Sequence, residues 1–321
     1  MNDTKAILEE LKNGHDFLLA AHVNPDGDSL GSMLGLALAL KKLGKKVTLI
    51  SSDPIPASYS FLPGIKEIMA VEEVKNHFST AIVLDCSDWQ RLGKAASLVR
   101  GYKKIINIDH HVTNEFFGTL NYVENDAVAT GELVYNLLMD LAIGIDSEIA
   151  TNLYTALMTD TGSFRHSNTK ANAFRIAADL TEKGASPHQV AENVYSTFSF
   201  DSLKLLGKAM SAIQLSCCKR VAWLFISQEI LQETNTSLEE TDGLISYLIG
   251  IQGVEVALIF KEIGEGKVKV SFRARGNIDV SKIAGVFGGG GHIKAAGCSL
   301  DDDLEIAKRK VLKEVMKALD L

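Results

Sequence analysis

Four short apolar runs, Phe17–Ala21, Val47–Ile50, Ala81–Leu84 and Ile105–Ile108, constrain the architecture of this chain more than any other feature. Each is rich in Val, Ile, Leu or Ala, as expected of strands buried on both faces of a parallel sheet. Parallel neighbours need a crossover between them. The stretch from Leu30 to Leu43 has the Leu, Ala and Met content of such a helix, and Gly44 follows as its stop signal. Helices are also expected over Gly131–Leu141 and Ser147–Met158, the second capped by Ser147 or Asp146. The alternation predicts an α/β chain whose N-terminal domain is a doubly wound, mainly parallel sheet.

The pattern breaks around Lys183-Gly184-Ala185-Ser186-Pro187, and Ser196 to Asp201 is short and polar-aromatic. We therefore expect a first domain over residues 1–187, a linker over 188–200 and a smaller C-terminal α+β domain over 201–321. In the latter, Ser202–Gln214 and Leu304–Leu319 read as helices. Val221–Ile226, Val254–Phe260 and Lys267–Arg273 read as strands of a mixed or antiparallel sheet, with Gly264-Glu265-Gly266 as a hairpin turn. A length of 321 residues accommodates two such cores.

A net charge of −7 argues against holding long duplex nucleic acid on a basic face, while leaving room for a small anionic ligand. The opening MNDTKAILEELKNGHD has no apolar signal core, and no run approaches the length of a membrane span, so no membrane association is expected. Cys86, Cys217, Cys218 and Cys298 form neither a CxxC pair nor a disulfide framework, which fits a reducing cytoplasm.

In open parallel sheets, ligands bind outside the carboxyl ends of the strands. His22, Asp26 and Asp28 follow the first predicted strand, Asp85 the third, and Asp109, His110 and His111 the fourth. Asp160 follows the second of the later helices. Singly, an aspartate in PDGD is a turn or cap residue and a histidine is a solvated side chain. Jointly they place carboxylates and imidazoles along one sheet edge, where crowded carboxylates repel unless cations join them. His22, Asp26, Asp28, Asp85, His110 and Asp160 comprise four carboxylates and two neutral imidazoles, the charge complement of two divalent cations. Without a thiolate, this donor set suits Mn2+, Mg2+, Co2+ or Fe2+ and disfavours structural zinc. Two such ions about 3.5–4 Å apart can share a hydroxide and clamp a phosphoryl group. Asp85, ending a central strand between the two ligand groups, is the expected bridge.

In the second domain, FRARGNID and GGGGHIKAAG offer Arg273, Arg275, His292 and Lys294 as anion contacts. Backbone N–H groups of Gly289, Gly290 and Gly291 can cradle phosphate, with a small-residue helix start expected after them; the alternative is a flexible loop. Arginine suits a terminal phosphate because its planar fork donates two parallel hydrogen bonds. His15, His77 and His188 read as surface residues, and Cys86, Trp89 and Trp223 as packing residues. Arg165 and His166, in GSFRHSNT, stand open between substrate contact and surface.

The stretches HVNPDGDS, IVLDCSD, NIDHH and LMTDTGSF, in that order, resemble the four motifs of the DHH phosphoesterase superfamily. Residues 288–297 resemble the GGGH-containing DHH-associated domain of one branch. The resemblance implies that His22 and Asp26 hold one metal, that Asp28, His110 and Asp160 hold the other, and that Asp85 bridges them. It implies that His111 contacts the substrate phosphate or assists the leaving group, and that Asp109 orients His110 from behind. Arg273, Arg275, Gly289, Gly290, Gly291 and His292 would grip the far end of the substrate, with the active site in the cleft between the domains. Ala274 departs from the serine found in many relatives and removes a hydroxyl donor.

The implied cofactors are two divalent ions, Mn2+ first. The implied reaction is hydrolysis of very short oligonucleotides to 5′-mononucleotides, and of pAp to AMP, by in-line attack of a metal-bridging hydroxide. The partner would be a small nucleotide or short single strand, and a homodimer is compatible with the resemblance. The alternative enzyme is a phosphodiesterase of linear or cyclic dinucleotides (pApA, c-di-AMP). A catalytically silent nucleotide-binding protein is the alternative from another class, and the filled ligand positions argue against it.

Overall fold

The computed structural model describes residues 3–74 and 78–320, so His77 lies outside the described residues. The chain divides into two compact units, Met1–Thr197 and Phe198–Leu321. The first contains α1 (Thr4–Asn13), β1 (Asp16–Ala20), α2 (Gly27–Lys42), β2 (Lys46–Ser51), β3 (Ile68–Ala70), β4 (Thr80–Leu84), α3 (Ala95–Val99), β5 (Lys104–Asp109), β6 (Leu120–Val123), α4 (Thr130–Asp140), α5 (Ser147–Asp160), α6 (Ala171–Glu182) and α7 (Pro187–Ala191).

Its six strands are all parallel, in the order β3-β2-β1-β4-β5-β6. Alternate residues of the central strands enter different cores. Phe17, Leu19, Ile82, Leu84 and Ile106 join the larger cluster, while Leu18, Ala81, Val83 and Ile105 join the smaller one. Burial on both faces is why these runs read as strands. The edge strands β3 and β6 are three and four residues long and only partly buried, too short to show in the pattern.

The strand order reverses between β1 and β4, which creates a crevice at their carboxyl ends. α2 and α5 meet beside it through small residues. A Cβ on Gly27 would lie 2.4 Å from Thr159 Cγ2, one on Gly31 would lie 2.3 Å from the Asn152 carbonyl oxygen, and one on Gly35 would lie 2.7 Å from Leu153 Cδ2. Spaced four apart, these glycines form one face of α2 and let the helix backbones approach closely. α5 runs to Asp160, two residues beyond the expected end, with Asp146 as its N-cap.

Residues 188–200, expected as a linker, are largely helical: α7 continues into a π-turn over Glu192–Ser196. Pro187 sits at the first helical position after the Ser186 cap, so the apparent breaker is a helix start.

The second unit contains α8 (Phe200–Ser211), β7 (Gln214–Leu215), β8 (Val221–Ile226), α9 (Gln228–Thr234), α10 (Ile245–Gly250), β9 (Val256–Gly264), β10 (Lys267–Ala274), α11 (Val280–Gly285), β11 (Gly290–His292), β12 (Ala295–Leu300) and α12 (Leu304–Ala318). Its six-stranded sheet has the order β11-β12-β10-β9-β8-β7; only β8 and β9 pair in parallel, so the sheet is mixed. Two expectations need correction. Gln214 lies in β7 rather than in the preceding helix. The stretch after GGGGH is strand β12, not a helix start, because Cys298 and Leu300 are drawn into the core beneath it.

Candidate metal centre

Each candidate side chain of the first unit is fixed by local structure at the end of a strand or helix. Asp26 caps α2: its Oδ1 accepts from the backbone N–H groups of Asp28 and Ser29, at 3.1 and 3.0 Å, and Ser29 Oγ accepts from Asp26 N. A capping box therefore doubles as the mount for two carboxylates. Asp28 is buried in the first turn of α2, and three donors surround it: Thr130 N at 2.7 Å, Gly131 N at 2.9 Å and Ser32 Oγ at 3.0 Å. Asp85, just beyond β4, has φ +55°, a left-handed conformation uncommon outside glycine but better tolerated by aspartate than by most residues.

The side chains fall into groups whose ligating atoms lie within 4.8 Å of one another: His22 with Asp26 and Asp85, Asp28 with His110 and Asp160, and Asp85 with His110 and His111. His22 Nε2 is 3.3 Å from Asp85 Oδ2 and 3.7 Å from Asp26 Oδ1. His110 Nε2 is 3.6 Å from Asp85 Oδ1, 3.7 Å from Asp28 Oδ2 and 3.8 Å from Asp160 Oδ2. Asp85 thus turns Oδ2 to His22 and Oδ1 to His110, with His111 Nδ1 also 3.6 Å from Oδ1.

Whether these residues fit a cation is tested by His22. Its Nδ1 lies 2.6 Å from the Val23 carbonyl oxygen and so carries the hydrogen. Its Nε2 is buried and has no hydrogen-bond partner, although it faces two carboxylates. A lone pair aimed at anionic oxygens requires a positive charge between them, and a divalent ion or a proton supplies it. The electrostatics agree. Burial alone depresses the His22 pKa, but protonation brings hydrogen bonds and attraction from Asp26 and Asp85, which lift it to about 10. Burial, then the charges of Asp85, Asp160 and Asp26, push Asp28 well above the usual carboxylate range. Burial raises Asp160 to about 6 against the pull of His110. Carboxylates that resist ionisation when crowded this way accept divalent cations readily.

Asp109 does not orient the ring of His110, as was expected. Its Oδ1 meets His111 Nδ1 at 2.7 Å and takes the backbone N–H of His110 at 2.9 Å, while Oδ2 accepts from Asn114 Nδ2 at 2.6 Å. The last residue of a strand points away from its neighbour's ring and towards the side chain two positions on. Burial lowers the His111 pKa, but the Asp109 hydrogen bond together with the charges of Asp85 and Asp109 outweighs it, and the net shift is upward.

Three contributors carried no sequence signal. Thr130 lies one residue before the helix expected from Gly131, and Asn114 and Asn168 belong to no motif. Yet Asn114 ties Asp109 to Asn107 and to the Cys86 carbonyl. Asn168 Nδ2 donates to Asp160 Oδ2 at 3.3 Å and to the Val128 carbonyl at 3.2 Å. Arg165 and His166 follow a left-handed turn through Ser163 and Phe164 (φ +59° and +60°). Arg165 Nε donates to the Gly162 carbonyl at 2.7 Å, and His166 Nδ1 lies 3.3 Å from the Asp160 carbonyl oxygen.

In the second unit, Arg273 pairs with Ala295, which pairs with His292 across β11, so an arginine and a histidine flank one small residue in a single row. Arg273, Arg275 and His292 are exposed. Ala274 is buried in the opposite core, so a serine hydroxyl there would not join that row. Lys294 is occupied structurally, its ammonium donating to the Gly276 and Ile278 carbonyls. Gly289 and Gly291 have a steric reason for lacking a side chain, since a Cβ would lie 2.2 Å from the Gly297 carbonyl and 2.5 Å from the Ala295 carbonyl respectively; Gly290 faces open space.

The family model described as "DHH family, N-terminal domain" matches residues 16–159, and the DHHA1 domain model matches residues 220–320. A bifunctional oligoribonuclease and PAP phosphatase NrnA from Thermus thermophilus is 34% identical over 303 residues, covering 94% of this chain and 89% of the relative. This chain belongs to the DHH family of phosphoesterases. Another similar relative of this DHH protein is the NrnA of Bacillus subtilis, 27% identical over 88% of each chain. Among solved structures, an exopolyphosphatase-related protein from Bacteroides fragilis matches with a TM-score of 0.92 at 25% identity, covering 98% of this chain and 95% of that one. Among the described residues, no helix of the DHH chain is long and apolar enough to cross a membrane.

Proposed function

We propose that this DHH protein is a dinuclear metal-dependent phosphoesterase that hydrolyses very short oligonucleotides to 5′-mononucleotides and removes the 3′-phosphate of pAp to give AMP. The buried Nε2 of His22, unpartnered and facing Asp26 and Asp85, is the observation that carries the metal dependence. The names of the relatives at 34% and 27% identity support the substrates. On this reading His22 and Asp26 hold one ion, Asp28, His110 and Asp160 hold the other, and Asp85 spans the two. Bound there, two divalent ions, Mn2+ first, supply Lewis acidity towards the phosphoryl oxygens and lower the pKa of coordinated water.

The protein's own groups orient and move the proton. Asp109 fixes the His111 ring through Nδ1, and the raised basicity of that ring keeps a proton at Nε2 for the departing oxygen. Arg273 and His292, exposed in one cross-strand row of the second unit, and the exposed Arg275 beyond β10 offer hydrogen-bond donors to a terminal phosphate. A net charge of −7 fits a small substrate rather than a long duplex, and four free cysteines fit a reducing cytoplasm.

The test is phosphate release from pAp and AMP release from pApA by chelator-stripped protein resupplied with Mn2+. Both activities are expected, and Asp85→Ala is expected to abolish both. Activity undiminished by the chelator, or surviving in Asp85→Ala, overturns the metal centre. Preference for a cyclic dinucleotide over both substrates overturns the substrate assignment alone.

A further inference from the structure

The start of α4 contacts a carboxylate of one proposed ion site and the carboxylate that would span both. Thr130 is fully buried; its backbone N donates to Asp28 Oδ2 at 2.7 Å and its Oγ1 donates to Asp85 Oδ1 at 3.0 Å. Asp28 Oδ1 is already engaged by Gly131 N and Ser32 Oγ, which occupy both of its lone pairs. Oδ2 therefore keeps the one lone pair left for a ligand, and it is this atom that lies 3.7 Å from His110 Nε2. Asp85 Oδ1 likewise has one lone pair on Thr130 and lies 3.6 Å from His110 Nε2. Both oxygens touched by Thr130 thus face His110. The other Asp85 oxygen, Oδ2, faces His22 at 3.3 Å and accepts nothing from Thr130.

From this asymmetry we infer that Thr130 is a positioning residue for one ion, the one held by Asp28, His110 and Asp160, and not for its neighbour at His22 and Asp26. The inference rests on the two-ion reading above. The aligned N–H groups of α4 add to it by favouring a negative charge on Asp28 at the helix N-terminus. Groups that orient metal ligands through a single hydrogen bond commonly change metal affinity by about 10–100-fold when removed.

Calorimetric titration of chelator-stripped protein with Mn2+, with free Mn2+ counted by electron paramagnetic resonance, separates the two sites without reference to turnover. Wild-type protein is expected to take two ions. Thr130→Val keeps the backbone donors and removes only the hydroxyl. It is expected to bind one ion as wild type does and the other about 10–100-fold more weakly. Thr130→Ser is expected to restore both. Should the valine variant fail to fold, Thr130→Ala, which adds no methyl contact, carries the same expectation. Equal weakening of both ions, no weakening, or failure of serine to restore binding overturns the role of Thr130. A wild-type protein that takes a single ion overturns the two-ion reading instead.

Discussion

His22 shows what a single buried imidazole imposes on its surroundings. Without a cation, the charge between Nε2 and the carboxylates of Asp26 and Asp85 is a proton, held with a pKa of about 10 against an ordinary 6.5. A group whose folded pKa is raised adds stability that is complete below its unfolded value and lost as pH rises through its folded value. Asp160, raised from 3.8 to about 6 chiefly by burial, works in the same direction at lower pH. The chelated protein is therefore expected to melt at progressively lower temperature as pH rises from 6.5 to 10, and Mn2+ should flatten that slope by replacing the proton. A flat or rising melting temperature across the window in chelator would contradict this. In the other unit, Arg273→Ala is expected to raise KM for phosphate-terminated substrates with little change in kcat; an unchanged KM removes Arg273 from the site. At this scale the chemistry-bearing residues were legible because carboxylates and imidazoles cluster in motifs. Thr130, Asn114 and Asn168 were not, since each contributes ordinary hydrogen bonds whose destination appears only when distant segments meet.

The elements owe their placement to small residues as much as to large ones. α2 carries Gly27, Gly31 and Gly35 on the face that meets α5, and an alanine methyl at Gly31 would sit 2.3 Å from a backbone oxygen. Gly31→Ala is expected to destabilise by about 1–3 kcal/mol, as overpacked cores do. It should also lower activity, because Asp28 and Asp160 belong to the two helices it would push apart. Gly207, inside α8, has nothing within 4 Å of a Cβ position, and Gly207→Ala is expected to stabilise by about 0.5–1 kcal/mol. Urea denaturation of both variants checks the pair, and equal effects would refute the packing argument. The helical crossover and the central strands could be read from their apolar content. β12 could not, because Ala295, Ala296 and Gly297 lack the branched side chains that mark strands, and its register comes from β10 beside it.

On the scale of the whole molecule, each unit has its own buried clusters, built around Phe17 and Leu19 in one and Val256 and Phe260 in the other. Only the first contains the candidate ligands. Scanning calorimetry is expected to resolve two transitions, with Mn2+ at about 100 times its Kd raising the stability of one unit by roughly 2.7 kcal/mol and leaving the other in place. A single transition that shifts as a whole would show that the units unfold together. The strand order also has a consequence for the order of events during synthesis. His22 and Asp85 follow β1 and β4, neighbours in space whose pairing must wait for the fourth strand, and Asp160 arrives later still at the end of α5. No nascent segment short of α5 can present the full set of donors. The choice among competing metals therefore falls to the finished fold, where geometry can discriminate among ions that a loose peptide would rank by intrinsic affinity alone.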